Sequence, residues 1–334
     1  MAWLLVGSRA AGPFASLEPE DGSVTAPSSV ISDAQTSSGA FVNFSSTSGD
    51  SGIPIGFWGM NGYWSVDGFR DVASRFKVTV SQLSSSDPSY GVNTLLPMAR
   101  EAGMKLTLRM TGGHSHYTTN NNFDIDKWKA KLAVWENSGV QEFIDDGTLA
   151  GHMVLDDISN WSGQDPTGDD LDEMARYSKQ IMPGLMTYVR KDATKLPVPS
   201  LGVYQHLDAV GNQYTEYRGE INSWAAAQVS KANDLNLGSM FGLGIAYGGD
   251  GSSGQVGWAE GQYAMSADEI RNYGQVLLDI PENGMFLSWE YDANEQWIDG
   301  TTSAEYFDQP ELQAALVYIG ELAAQHPLVQ LLKN

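Results

Sequence analysis

Beyond Ile53 the chain alternates short apolar runs with amphipathic stretches. Buried parallel strands read as continuous apolar segments and their connecting helices carry one apolar face, so this pattern predicts repeated βα units. Eight units can be traced. Strands are expected at Ile53 to Gly59, Phe76 to Leu83, Lys105 to Met110, Met153 to Asp157, Met186 to Arg190, Leu207 to Tyr214, Met240 to Tyr247 and Met285 to Glu290. Helices are expected near Val66 to Arg75, over Val92 to Ala102 with Gly103 as its stop, and through Trp128, Leu132 and Trp135, whose spacing marks a core-facing stripe.

Further helices follow from end signals. Asp169 and Asp170 suit the N-terminal dipole of a helix through Leu171, Met174 and Ala175. Another covers Ile221 to Leu235, and Ser266 with Glu269 forms a capping box before Ile270, Tyr273 and Leu277. Pro310 opens a last helix through Leu312, Leu316, Ile319 and Leu322, which Pro327 ends. The stretch from Lys191 to His206, with Pro197 and Pro199, carries the weakest pattern. Eight alternations over about 280 residues favour a closed (β/α)8 TIM barrel over a doubly wound sheet. No G-x-G-x-x-G follows an early strand and there is no P-loop, which argues against nucleotide cofactors.

Residues 1–50 differ, with Ser, Thr, Gly and Ala dominating from Gly22 to Gly52 and brief alternations such as Phe41-Val42-Asn43-Phe44. They are expected to form an extended or β arm, leaving 51–334 as the barrel domain.

Charge narrows the partners. With 19 Lys and Arg against 41 Asp and Glu, the formal net charge of −22 argues against nucleic acid or anionic membranes, and a neutral substrate suits it better. An acidic surface also serves solubility by itself. There is no Cys, so disulfides and thiolate metal sites are excluded. Trp3 to Val6 is too short an apolar run for a signal sequence or a membrane span. The expected location is secreted or extracellular, with a signal sequence not contained in this chain.

In a barrel of this kind the chemistry lies where the strands end. Gly151-His152-Met153-Val154-Leu155-Asp156-Asp157 is an apolar run delivering adjacent carboxylates to the rim, and strand alternation allows only one of them to face the axis. The other strand ends and their loops contribute Trp58, Asn61, Tyr63 and Trp64, then Gln82, then Arg109, His114, His116 and Tyr117. Later ends bring Tyr188 and Arg190, then Asp208, Asn212, Gln213 and Tyr214, then Tyr247 and Asp250, and finally Ser288, Trp289, Glu290, Tyr291 and Asp292. Carboxylates, amides and aromatics together fit a sugar: aromatic faces stack on its C–H surface, polar groups hold its hydroxyls, and two carboxyls perform the displacement. Trp64 and Trp161, both in polar loops, are expected at the exposed rim.

The run Leu17-Glu18-Pro19-Glu20-Asp21-Gly22, continued by Ser38-Gly39-Ala40-Phe41-Val42-Asn43-Phe44, resembles the opening of carbohydrate-binding β-sandwich modules. Residues 53–327 resemble the TIM-barrel glycoside hydrolases, on strand order and on the strand ends Val154-Leu155-Asp156-Asp157 and Leu287-Ser288-Trp289-Glu290-Tyr291. The chain departs from the large clan with Asn-Glu after strand four and a nucleophilic Glu after strand seven. It looks closer to families whose strand-four carboxylate is an Asp, including endo-galactosaminidase-like barrels.

The resemblance implies a glycosidase acting on a carbohydrate without a cofactor or metal. Asp156 is then the nucleophile or oxocarbenium-stabilising carboxylate, and Glu290, flanked by Trp289 and Tyr291, the general acid/base. Asp157 and Asp208 are reserves for these roles. Trp58, Trp64, Arg109, His114, Trp161, Gln213, Tyr247, Trp289, Tyr291 and Asp292 are the expected substrate-binding residues. The same residues admit two other readings: a divalent-metal hydrolase using His114, His116, Asp156 and Asp157, and a barrel that binds glycans without catalysis.

Overall fold

The computed structural model describes the backbone of 29–32 and 40–43, and residues 52–157 and 163–333. The chain divides into two units, 1–51 with the terminal residue and Gly52–Lys333. In the first, Ser29–Ser32 and Ala40–Asn43 pair antiparallel as a short ladder, Ser29 opposite Asn43. The rest of the β-sandwich resemblance lies outside the described residues.

The second unit is a closed eight-stranded parallel barrel. Its strands are β1 (Ile55–Gly59), β2 (Val80–Ser84), β3 (Lys105–Arg109) and β4 (Leu149–Asp156), followed by β5 (Thr187–Arg190), β6 (Ala209–Tyr214), β7 (Gly238–Leu243) and β8 (Asn283–Tyr291). Spatial order follows chain order, and β8 closes on β1 with Phe286 opposite Ile55 and Trp289 opposite Trp58. The longer helices are α1 (Val66–Phe76), α2 (Leu96–Ala102), α3 (Ile125–Ala133), α4 (Gly168–Ile181), α5 (Ile221–Asp234), α6 (Ala267–Leu278) and α7 (Pro310–Gln325). Among the described residues, no helix is long and apolar enough to cross a membrane.

Strand alternation sorts the core into two layers. Trp58, Val80, Met153, Tyr188, Met240, Met285 and Leu287 fill the barrel interior. Phe57, Leu106, Val154, Val189, Phe241 and Phe286 face outward into the larger layer beneath the helices. The stripe Trp128, Leu132 and Trp135 is fully buried. Trp128 donates its Nε1–H to the Val154 carbonyl at 3.1 Å, and Trp135 does so to the Met110 carbonyl at 3.2 Å. Each indole thus buries its body and still satisfies its one donor. The expected capping box at Ser266 and Glu269 is present, and Thr167 with Asp170 forms another; such caps contribute about 1 kcal/mol each.

Strand bounds shift by a few residues from the sequence pattern, and three departures have clear physical reasons. Phe76 ends α1, where the left-handed Lys77 (φ 58°) stops it, so β2 begins only at Val80. After β5 comes a 3₁₀ turn, Ala193–Lys195, and no α-helix before β6. Pro197 and Pro199 remove the donors a helix there would need. At β8 the register against β1 shifts between Trp289 and Tyr291, so Glu290 is a bulged residue outside the ladder.

Candidate active site

Three consecutive strand ends place alternating charges on one rim. β4 pairs with β5 so that Asp156 lies opposite Arg190, and Arg109 ends β3 on the other side. Asp156 accepts from Arg190 Nε and from Arg109 Nη1 at 3.4 Å, and its backbone carbonyl contacts His114 Nε2 at 2.8 Å. The guanidinium of Arg190 also lies over the Trp58 ring, 5.3 Å from its centroid. One carboxylate is therefore held between two cations that pairing of adjacent strands has already aligned.

Asp157 leaves the strand in the left-handed region (φ 46°), ending the alternation that would have turned it from the axis. Its carboxylate lines the open cleft, 3.2 Å from Lys191 Nζ.

Glu290 is the opposite case. It is 6% exposed, and its Oε1 is buried without a hydrogen-bond partner. Burial, followed by the charges of Glu295 and Asp292, pushes its carboxyl up to about 8 against the opposing pull of Arg190. Asp292 holds this arrangement through its two oxygens. Oδ1 accepts from the backbone of Asn294 at 2.6 Å and of Glu295 at 2.9 Å, and Oδ2 accepts from Asn61 Nδ2. Glu290, Asp292 and Glu295 have oxygens within 4.8 Å of one another and are, among the described residues, the group that could hold a metal ion. His114, His116, Asp156 and Asp157 do not converge in this way, which removes the geometric basis of the metal reading they suggested.

A cleft of about 430 Å³ opens above β4 to β8. Gln213, Tyr247 and Trp289 line it as expected. The Tyr247 hydroxyl bonds Gln213 Oε1 at 2.9 Å, and the Trp289 ring stands edge-on to both Tyr247 (5.1 Å) and Trp258 (5.3 Å). Trp258 is 44% exposed and donates its Nε1–H to Glu295 at 2.7 Å.

Several expected site residues belong elsewhere. Asp208 precedes β6, so it lies at the opposite, N-terminal end of the barrel, fully buried against Lys179 and the Thr187 backbone. Tyr291 points outward after the register shift at Glu290, stacked with Phe57 and Phe307 at 5.5 and 5.9 Å, with its hydroxyl near Arg75. Trp64 is half-buried against the outer core, its Nε1 unpartnered, so the exposed-rim expectation fails. Trp58 is 5% exposed in the barrel interior, donating to the Leu287 carbonyl at 2.9 Å, and forms floor instead of wall. Trp161 lies outside the described residues.

The site also contains Arg190, named among the strand ends without a role, and loop residues that strand-end selection passed over. Arg190 closes β5 and was legible as such. Lys191, Asp192 and Lys195 follow it, Tyr217 and Arg218 follow β6, and Trp258 and Gln262 come from the long Gly-rich stretch after β7; all line the cleft. Trp258 carried the same signal as Trp64, a lone indole in a polar loop.

No family model matches the sequence, and no curated protein matches it. The fold does match solved structures. A β-glucuronidase from Ruminococcus gnavus, in complex with D-glucaro 1,5-lactone, superposes with a TM-score of 0.53 at 12% identity, over 88% of this chain and 53% of that one. An endocellulase from Pyrococcus horikoshii, in a cellotetraose complex, gives 0.52 at 11% identity, over 85% and 94%. At such identities the likeness shows the barrel fold. The chain spans about half the length of the glucuronidase.

Proposed function

We propose that the barrel is a glycoside hydrolase in which Glu290 is the general acid and Asp156 the anionic partner. The observation that carries this reading is Glu290 itself, a buried carboxyl with an unpartnered oxygen and an affinity for its proton that extends to about pH 8. Such a group holds a proton at neutral pH and has no competing acceptor for it. Asp156 has the complementary character, a carboxylate bound by two guanidiniums. A carboxyl that keeps its proton and a carboxylate paired with cations, both at strand ends of one rim, suit what glycosidic cleavage requires.

In the proposed step the Glu290 proton passes to the glycosidic oxygen as the bond from that oxygen to the anomeric carbon breaks. The electron pair leaves with the departing alcohol, and Asp156 stabilises or captures the positive anomeric carbon. Water completes hydrolysis and returns a proton to Glu290. Trp258 and Trp289 offer stacking surfaces, while Gln213 and Tyr247 can bond sugar hydroxyls. The fold shared with a glucuronidase and an endocellulase accords with this reading.

The test is a hydrolysis screen on a polysaccharide and aryl-glycoside panel, run beside Asp156→Asn and Glu290→Gln with circular dichroism to verify folding. Sugar release by the parent, lost in both folded variants, supports the proposal. Glycan binding without release from any substrate would assign the barrel a binding role instead.

A further inference from the structure

Resting on the glycosidase reading, a further inference concerns the charge of the sugar. The lining of the cleft includes Arg190, Lys191, Lys195 and Arg218, against Asp157 and Asp192. An even spread of the chain's 19 basic residues over 334 positions would put fewer than one in this set of thirteen. A protein with a net charge of −22 has thus gathered cations around this cleft. We propose that this cleft takes a sugar bearing an oxyanionic substituent, a carboxylate or a sulfate ester, held against Lys191, Lys195 and Arg218.

The pairing leaves positive charge in excess. Arg190 is matched by Asp156, and Lys191 pairs with Asp157 at 3.2 Å. Asp192, 4% exposed, is shared by two cations, Lys195 at 3.1 Å and Arg218 Nη1. Arg218 Nε is buried with no acceptor, although the guanidinium sits 5.8 Å from both the Tyr217 and the Trp224 ring centroids. A desolvated guanidinium N–H without an acceptor and a carboxylate divided between two cations are both relieved by one added oxyanion. Neutral hydroxyls would satisfy the hydrogen bond and leave the charge.

The acidic exterior does not oppose this. At physiological salt the screening length is about 8 Å, so the charges lining the cleft outweigh those on the far surface. Whole-chain charge averages over surface the substrate never meets, and within the cleft its sign reverses.

The test is calorimetric binding to the Glu290→Gln protein, which keeps ligands intact. The ligands are size-matched uronate, sulfated and neutral oligosaccharides. At least one acidic series is expected to bind about tenfold or more tightly than the neutral one, the range of a charge-assisted contact. Comparison of the uronate and sulfated arms identifies the anion. Lys195→Gln is expected to cut the preference about fivefold. Lys131→Gln, an equal change in net charge on the exposed face of α3, is expected to leave it intact.

Equal or tighter binding of neutral oligosaccharides, or no binding of any series, overturns the inference. Hydrolysis by the parent protein separates this result from the parent reading. Cleavage of neutral glycosides alone would retain the glycosidase and refute the anionic substrate; tight acidic binding with no cleavage of any glycoside would do the reverse.

Discussion

Glu290→Gln tests whether the protein really holds a buried proton. The substitution preserves shape and fixes the group in a neutral form. In the unfolded chain the carboxyl ionises near its ordinary value of 4.5, and in the folded protein near 8. Between these values the folded state keeps a proton that the unfolded chain has released, so stability falls as pH rises. The stabilising contribution is complete below about pH 4.5 and gone above about pH 8. At about 1.4 kcal/mol per pH unit, a displacement of roughly 3.5 units amounts to on the order of 5 kcal/mol. The side chain is buried, so solvent screening removes little of this.

For a unit of this size about 2 °C accompanies each kcal/mol. The melting temperature of the parent, measured relative to Glu290→Gln, is therefore expected to fall by roughly 10 °C between pH 4.5 and 8. Thermal unfolding of both proteins across that range is the assay, and groups that titrate alike in both cancel in the difference. Parallel curves would refute the reasoning, because they would mean that Glu290 ionises equally in folded and unfolded chains.

Four further outcomes are expected. Asp156→Asn leaves Arg109 and Arg190 unmatched and should cost about 2 kcal/mol in urea unfolding, less than a fully buried pair because a fifth of each side chain meets solvent; it should also abolish sugar release. Trp258→Ala removes an exposed stacking face, so KM should rise about three- to tenfold with kcat little changed in steady-state kinetics. His152, buried beside the Trp128 ring with Nδ1 2.8 Å from Ser178 Oγ, is pushed down to about 3 by burial. Relative to His152→Phe the parent should therefore lose stability as pH falls from about 6.5 through 3, as followed by acid unfolding. A Cβ at Gly242 would stand 1.6 Å from the Leu287 carbonyl oxygen, so Gly242→Ala should cost at least about 3 kcal/mol, whereas Gly113→Ala meets nothing within 4 Å and should cost less than about 1 kcal/mol in the same melts.

The barrel was legible because buried parallel strands leave continuous apolar runs and their helices leave stripes such as Trp128, Leu132 and Trp135. Asp156 and Glu290 were legible because they close such runs. What failed depends on direction and register. Asp208 precedes its strand, and the beginning of a barrel strand lies at the face away from the site. Tyr291 reads as a rim residue by position, but the one-residue shift at Glu290 sends it outward into the aromatic cluster of Phe57, Phe76 and Phe307. The missing helix after β5 was foreshadowed by Pro197 and Pro199. The cationic lining was hidden because Lys191, Lys195 and Arg218 come from two different loops, and each alone reads as an ordinary surface charge.

The central claim is proton donation by Glu290, and leaving-group dependence tests it most directly. A dinitrophenolate departs without a proton, whereas a sugar alcohol does not. The turnover of Glu290→Gln on a dinitrophenyl glycoside is to be compared with its turnover on an oligosaccharide of the same sugar. The account predicts that the variant retains most of the parent rate on the first and loses about 10²–10⁴-fold on the second. Equal turnover of both substrates by parent and variant would contradict it.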